Sequence, residues 1–144
     1  MVQIAVRQLD ADLPLPVTAH SGDAGVDLYS REDALICAAG GRMLVPTGIA
    51  VAIPSGYVGL VVPRSGLAIK HGVTLLNTPG IIDSGYRDEL KVVMINTDPT
   101  SSYQVARGDR IAQLVIQPIE NVTWNVVDKL DDNDRGGGFG HSGR

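Results

Sequence analysis

Gly56-Tyr57-Val58-Gly59-Leu60-Val61-Val62-Pro63-Arg64-Ser65-Gly66-Leu67-Ala68-Ile69-Lys70-His71-Gly72 carries two kinds of local order side by side. Tyr57 to Val62 is a short β-branched, apolar run bounded by Gly56 and Pro63, the signature of a strand. Ser65 to His71 is the one stretch with a helical pattern, and Gly72 is placed to end it. Outward from there the strand pattern repeats and the helical one does not. Val2–Arg7, Val26–Tyr29, Ala34–Cys37, Arg42–Val45, Gly48–Ile53, Val73–Leu76, Glu89–Ile95, Tyr103–Arg107, Arg110–Gln117 and Val122–Val127 all read as strands, with a proline-punctuated crossing at Leu13-Pro14-Leu15-Pro16. Many short strands closely spaced predict an all-β sandwich or barrel with one short helix.

The 144 residues suit one domain, and any cut before residue 128 divides neighbouring strands. Residues 1–127 are therefore expected to form a single domain. From Asp128 the acids cluster, and glycines then dominate Arg135 to Arg144, so 128–144 is expected to be an arm that is mobile when nothing holds it. A net charge of −4 argues against a non-specific nucleic-acid binder. No apolar run approaches the ~20 residues of a membrane span, and the amino-terminal stretch has no signal-peptide core. The single cysteine, Cys37, forms no internal disulfide, which fits a reducing, cytoplasmic setting. Cys37 and Trp124 are expected in the core or at an interface.

Five segments break the β pattern with residues a packed strand does not favour. Asp23-Ala24-Gly25-Val26-Asp27-Leu28 offers two carboxylates at a turn. Val62-Pro63-Arg64-Ser65-Gly66 places a guanidinium, a hydroxyl and a glycine where a strand becomes a helix; it reads either as an ordinary serine N-cap or as an anion site. Leu76 to Arg87 resembles a hairpin with Pro79-Gly80 and Ser84-Gly85 turns. Asn77 there both donates and accepts, a match for the donor between two acceptors on a uracil edge. Asp83 follows Ile81 and Ile82; it reads either as the capping Asp of an ordinary hairpin with a half-buried Tyr86, or as a general base suited by partial desolvation. In Arg107 to Leu114 a regular strand turns Arg110 and Gln113 to opposite faces unless a bulge intervenes. In the tail, Arg135 supplies a cation and Phe139 an aromatic face. His20, His71 and His141 show no metal-ligand spacing, and no phosphate-binding Gly-rich loop ending in Lys-Ser/Thr is present.

Taken together and in this order, the five segments resemble the homotrimeric, all-β dUTPase family. The resemblance rests on Ala24 to Leu28, Pro63 to Ala68, Asn77 to Tyr86, Gly108 to Leu114 and Arg135 to Gly143. It implies a jelly-roll-like fold, a trimer with three active sites between subunits, and hydrolysis of dUTP to dUMP and pyrophosphate with Mg²⁺ on the triphosphate. It makes Asp83 the base that activates the attacking water. Asn77, Ile81 and Ile82 would hold uracil, Tyr86 would pack on the deoxyribose, and Lys91 would lie at the nucleotide. Arg64, Ser65, Gly66 and Gln113 would bind phosphates, and Asp27 would orient waters carried by the metal. Arg135 would meet the γ-phosphate, with Phe139 and Gly140 over the base. The chain departs from the common pattern at Asp88, where glycine is usual, and in having four positions from Arg135 to Phe139 where five are usual. Two other readings use the same scaffold: a dCTP deaminase, separated by ammonia release, and a non-catalytic nucleotide-responsive module, separated by turnover.

Overall fold

Ten strands and one helix follow one another along residues 2–131, the part of the chain that this computed structural model describes. The strands are β1 (Ala5–Gln8), β2 (Gly25–Tyr29), β3 (Ala34–Ile36), β4 (Arg42–Ala52), β5 (Tyr57–Val62), β6 (Val73–Leu75), β7 (Gly80–Ile82), β8 (Glu89–Asn96), β9 (Tyr103–Val105) and β10 (Arg110–Pro118), with α1 (Ser65–His71) between β5 and β6. One four-stranded sheet runs β1-β4-β8-β6 and a second β2-β10-β5-β7, while β3 and β9 form a small third sheet. Every pairing is antiparallel. The all-β expectation therefore holds.

Alternation along the strands builds the core. In β8, Leu90, Val92, Met94 and Asn96 are buried while Lys91 is exposed. Leu90, Val92 and Met94 meet Val45, Ile49 and Val51 of β4, Leu28 of β2, Val61 of β5 and Leu114 of β10 in one hydrophobic cluster. Each fully buried side chain of this kind is worth ~1.5–3 kcal/mol, so the two sheets hold together without a disulfide. Among the described residues the one buried side-chain amide has both its N–H donors and its oxygen engaged. Asn96 donates to the carbonyls of Ile36 and Ser101 (3.1 and 2.9 Å) and accepts from the Asp98 N–H (2.9 Å).

Several boundaries differ from the sequence expectations. Arg42–Val45 and Gly48–Ile53 are one strand, β4, because the pairing with β8 continues across an irregularity between Pro46 and Ala50. Polar contacts bridge the irregular stretch: Thr47 Oγ1 donates to the Leu90 carbonyl (2.7 Å) and the Gly48 N–H to Glu89 Oε1 (2.8 Å). The first strand begins at Ala5 rather than Val2.

Leu76 to Arg87 is not a simple hairpin. Strand β6 pairs with β8 in the first sheet, whereas β7 pairs with β5 in the second, so the segment crosses between sheets. Val122–Val127 is not a strand. Its alternation is real, but among the described residues no strand pairs with it, and Val122, Trp124 and Val126 are exposed. Cys37 is likewise exposed, so neither it nor Trp124 belongs to the core of the chain.

Helix α1 lies where expected and ends at Gly72, whose φ of 63° is the left-handed conformation that favours glycine. It buries none of its residues fully; Leu67 packs on the core and Ile69 is exposed.

Candidate active site

The pairing of β10 with β2 decides which polar groups meet. Gln113 lies opposite Asp27, but the register slips between Arg110 and Ala112, so Ile111 is an extra residue. Such a bulge reverses the alternation, and Arg110 and Gln113 turn to the same face. Asp27, buried on β2, is the meeting point. Its Oδ1 accepts from Arg64 Nε (3.0 Å) and its Oδ2 from Arg110 Nη1 (3.4 Å). Arg64 Nη1 also donates to the Arg110 carbonyl (3.2 Å).

The turn before β10 is tied down from both sides. The Ser30 N–H donates to the Asp109 carbonyl and the Gly108 N–H to the Ser30 carbonyl, each at 2.8 Å. The Ala106 N–H donates to the Asp109 carboxylate at 2.9 Å. Gly108 has a φ of 89°, which a residue with a Cβ rarely adopts. The bulge and the orientation of Arg110 thus rest on a fixed turn. Beside them a cleft of about 280 Å³ is lined by Ala19, Asp23, Ala24, Gly25, Asp27, Gln113 and Val115.

Arg64 stands at the N-cap of α1 in an extended conformation and makes no side-chain cap hydrogen bond. Ser65 is therefore the first helical residue, not the cap. Ser65 and Gly66 are exposed, and no heavy atom lies within 4 Å of where a Gly66 Cβ would be. Tyr103 is half-buried nearby and stacks at a tilt on His71, ring centroids 4.8 Å apart. Burial pushes the Tyr103 phenol upward and the Asp109 charge adds to this, against the opposing pull of Arg64.

Asn77, Ile81, Ile82, Asp83 and Tyr86 form a second group around β7. The Asn77 amide nitrogen lies 3.5 Å from the position of a Gly80 Cβ. Asp83 is exposed, contrary to the partial desolvation its apolar neighbours suggest, and its carbonyl accepts from the Tyr86 N–H (3.1 Å). The Tyr86 hydroxyl donates to the Glu89 carbonyl (2.9 Å), which holds the ring over the loop. Arg87 braces the same loop through the carbonyls of Ser84 and Tyr86.

The two groups do not meet within the chain. Ile82 pairs with Gly59 and Gly80 with Val61, so the register puts Asp83 level with Val58, while Arg64 follows the far end of β5. Four strand residues at ~3.3 Å each separate those levels by ~13 Å. Lys91 lies on the outer face of β8, in a third place. It lines a cleft of about 420 Å³ with Asp10, Arg31, Glu32, Leu44, Pro46 and Glu89. Ion pairs link Arg31 to Asp10 and Glu89, and Arg107 to Asp10. Arg135, Phe139 and Gly140 lie outside the described residues. The residue that sequence reasoning left without a role is Arg110; its signal was the alternation that only a bulge overturns.

Among the described residues no three His, Cys, Asp or Glu side chains are grouped to hold a metal. Asp27, with Asp23 further along the same cleft, offers little carboxylate oxygen at the first group, which fits an ion that arrives with most of its ligands supplied by substrate and water.

The dUTPase family model matches residues 11–143. The chain belongs to the dUTPase family. Within it, the deoxyuridine 5'-triphosphate nucleotidohydrolase of Thermobifida fusca is 54% identical over 143 residues, covering 99% of this chain and 79% of that protein. The Corynebacterium glutamicum enzyme of the same name is 53% identical over 145 residues, covering 100% and 97%. A dUTPase of Staphylococcus bacteriophage 80alpha, solved as a point variant with dUpNHpp, superposes with a TM-score of 0.90 at 28% identity and full coverage of both chains. A dUTPase of phage phi11 of S. aureus, whose structure details the coordination of a structural Mg(II) ion, superposes with a TM-score of 0.83 at 29% identity, covering 91% of this chain and 100% of that one. Four of the five segments lie within the described residues, with the first, second and fourth gathered at Asp27 in this dUTPase and the third set apart on β7.

Proposed function

We propose that this chain is a dUTP diphosphatase that hydrolyses dUTP to dUMP and pyrophosphate, supplying dUMP for thymidylate synthesis and limiting uracil in DNA. It works as a homotrimer whose active sites are shared between chains. The observation that carries the reading is the gathering of Arg64 and Gln113 around the buried Asp27 at the bulge of β10. A triphosphate needs cations and polar donors of this kind, fixed before it arrives. The ~13 Å between that group and the level of Asp83 supports sharing, since a neighbouring chain then supplies the base that one chain's phosphate site lacks.

In each site Arg64, Ser65 and Gly66 bind phosphate oxygens and Gln113 assists. Asn77 and the backbone at Ile81 and Ile82 hold the uracil edge, and the fixed Tyr86 ring packs on the deoxyribose. Discrimination against cytosine follows, because its amino group meets donors that stay unpaired. Asp83 accepts a proton from the water that attacks the α-phosphorus, and pyrophosphate leaves. Exposed in the single chain, Asp83 becomes partly desolvated only when nucleotide and a neighbouring chain cover it.

Asp27 would orient the waters of a Mg²⁺ ion bound with the triphosphate, and that ion would supply charge neutralisation of the phosphates. Residues 128–144 act as an arm, Arg135 at the γ-phosphate with Phe139 and Gly140 over the base, and Lys91 completes the nucleotide's surroundings. The enzyme is placed in the cytoplasm, a reading supported by the exposed, unpaired Cys37 thiol. No helix among the described residues is long and apolar enough to cross a membrane.

Pyrophosphate release from dUTP, dCTP, dTTP and UTP, with Mg²⁺ present, tests the reading. Turnover of dUTP alone is expected. Ammonia release from dCTP, or no turnover of any of the four, would overturn it.

A further inference from the structure

Two guanidinium groups share one carboxylate at the first group of site residues, and only one of them has been given a role. Arg64 and Arg110 each take a different oxygen of Asp27. A guanidinium presents five N–H donors and matches a carboxylate best through two parallel bonds. Were Asp27 free to turn, it would close on Arg64 in that two-pronged manner and occupy the edge that a phosphate needs. Here it does not. Arg64 gives Asp27 only its Nε–H, spends one Nη1 donor on the Arg110 carbonyl, and keeps the remaining three.

Arg110 is responsible twice. Its side chain draws Oδ2 away from Arg64, and its backbone carbonyl fixes the outer edge of the Arg64 guanidinium. Both follow from the bulge at Ile111, which turns Arg110 towards Asp27 instead of away from it. The Arg110 side chain is half exposed, so it is no packed core cation.

We propose that Arg110 is a positioning residue for triphosphate binding: by holding one oxygen of Asp27 it keeps the Arg64 fork open to phosphate. The proposal rests on the phosphate-binding role given to Arg64 above, and acts through Asp27. It predicts that the effect of losing Arg110 depends on the charge at position 27.

The test is a double-mutant cycle read by calorimetric binding of dUpNHpp to the full-length protein, with Arg110→Gln, Asp27→Asn and the two combined. Arg110→Gln is expected to weaken binding about tenfold when Asp27 is present and less than twofold in the Asp27→Asn background, since a neutral amide does not capture Arg64. Arg110→Lys, which keeps the charge near Oδ2, is expected to recover most of the loss and keeps the test open if Arg110→Gln unfolds. Equal losses in both backgrounds would mean that Arg110 touches the ligand directly and would overturn the proposal, as would unchanged binding in Arg110→Gln. A merely structural role predicts a lowered melting temperature with binding per folded molecule unaltered, which also counts against it. Failure of the unaltered protein to bind dUpNHpp at all would instead defeat the functional reading, so the two failures are distinct.

Discussion

Sharing of the active site between chains makes a quantitative prediction about mixed oligomers. Arg64 lies beyond one end of β5 and Asp83 is level with its other end, and in the proposed site the two come from different chains. Take Arg64→Ala, which removes the proposed phosphate fork, and Asp83→Asn, which removes the proposed base. Each alone should lose at least about 10²-fold in kcat/KM, the usual scale for removing a general base or a preorganised charge at the reacting phosphate. Co-expressed in equal amounts and assembled at random, the two variants produce sites whose Arg64 and Asp83 come from independently drawn chains. About one quarter of sites then carry both intact groups, given a closed ring of equivalent interfaces. The assay is dUTP turnover by the whole co-expressed mixture, purified without selection for mixed oligomers and normalised to subunit concentration. Recovery to about a quarter of the unaltered rate supports shared sites. Recovery no greater than the summed single variants would refute the geometric reasoning, because it would mean that each chain builds its own site.

Packing and charge give further predictions. A Cβ at Gly59 would lie 2.7 Å from Ile53 Cδ1, 3.1 Å from Leu114 Cδ1 and 3.2 Å from Ile82 Cβ. Gly59→Ala should therefore cost ~1–3 kcal/mol in urea unfolding and lower kcat, because Ile82 carries the backbone into Asp83; an unchanged midpoint would contradict the packing. At Asp10, burial pushes the carboxyl up, but the Arg107 hydrogen bond, the Asp12 N–H and the charges of Arg107 and Arg31 together bring it below its ordinary 3.8. The folded protein then releases this proton more readily than the unfolded chain, so the stabilisation is full above the unfolded value and is lost as pH falls through the lower, folded one. The stability difference between the unaltered protein and Asp10→Asn should be present at neutral pH and shrink below about pH 4; a difference that does not vary with pH would contradict the ion-pair account.

Local order was legible in the sequence where it depended on local residues. The helix from Ser65 to His71 with its Gly72 stop, and β5 beside it, needed only composition, spacing and a left-handed glycine. Partnership was less legible. The Leu76 to Arg87 segment has hairpin chemistry, yet β6 and β7 pair into different sheets, a choice made by the partners β8 and β5 rather than by the turn. Val122 to Val127 has the alternation of a strand and no partner among the described residues, so its pattern alone could not make it one. The candidate site divides similarly. Its chemical types were visible at Asp27, Arg64, Asp83 and Gln113, but their division into separate groups depends on pairing register. The role of Arg110 depends on one inserted residue, Ile111, that no alternation rule places.

The claim on which the mechanism turns is that Asp83 directs water to the α-phosphorus. Single-turnover hydrolysis of dUTP in ¹⁸O-labelled water, with mass analysis of both products, tests it most directly. The label is predicted in dUMP and absent from pyrophosphate, with Asp83→Asn abolishing its incorporation while dUpNHpp still binds. Label in pyrophosphate, or undiminished incorporation by the variant, would contradict the account.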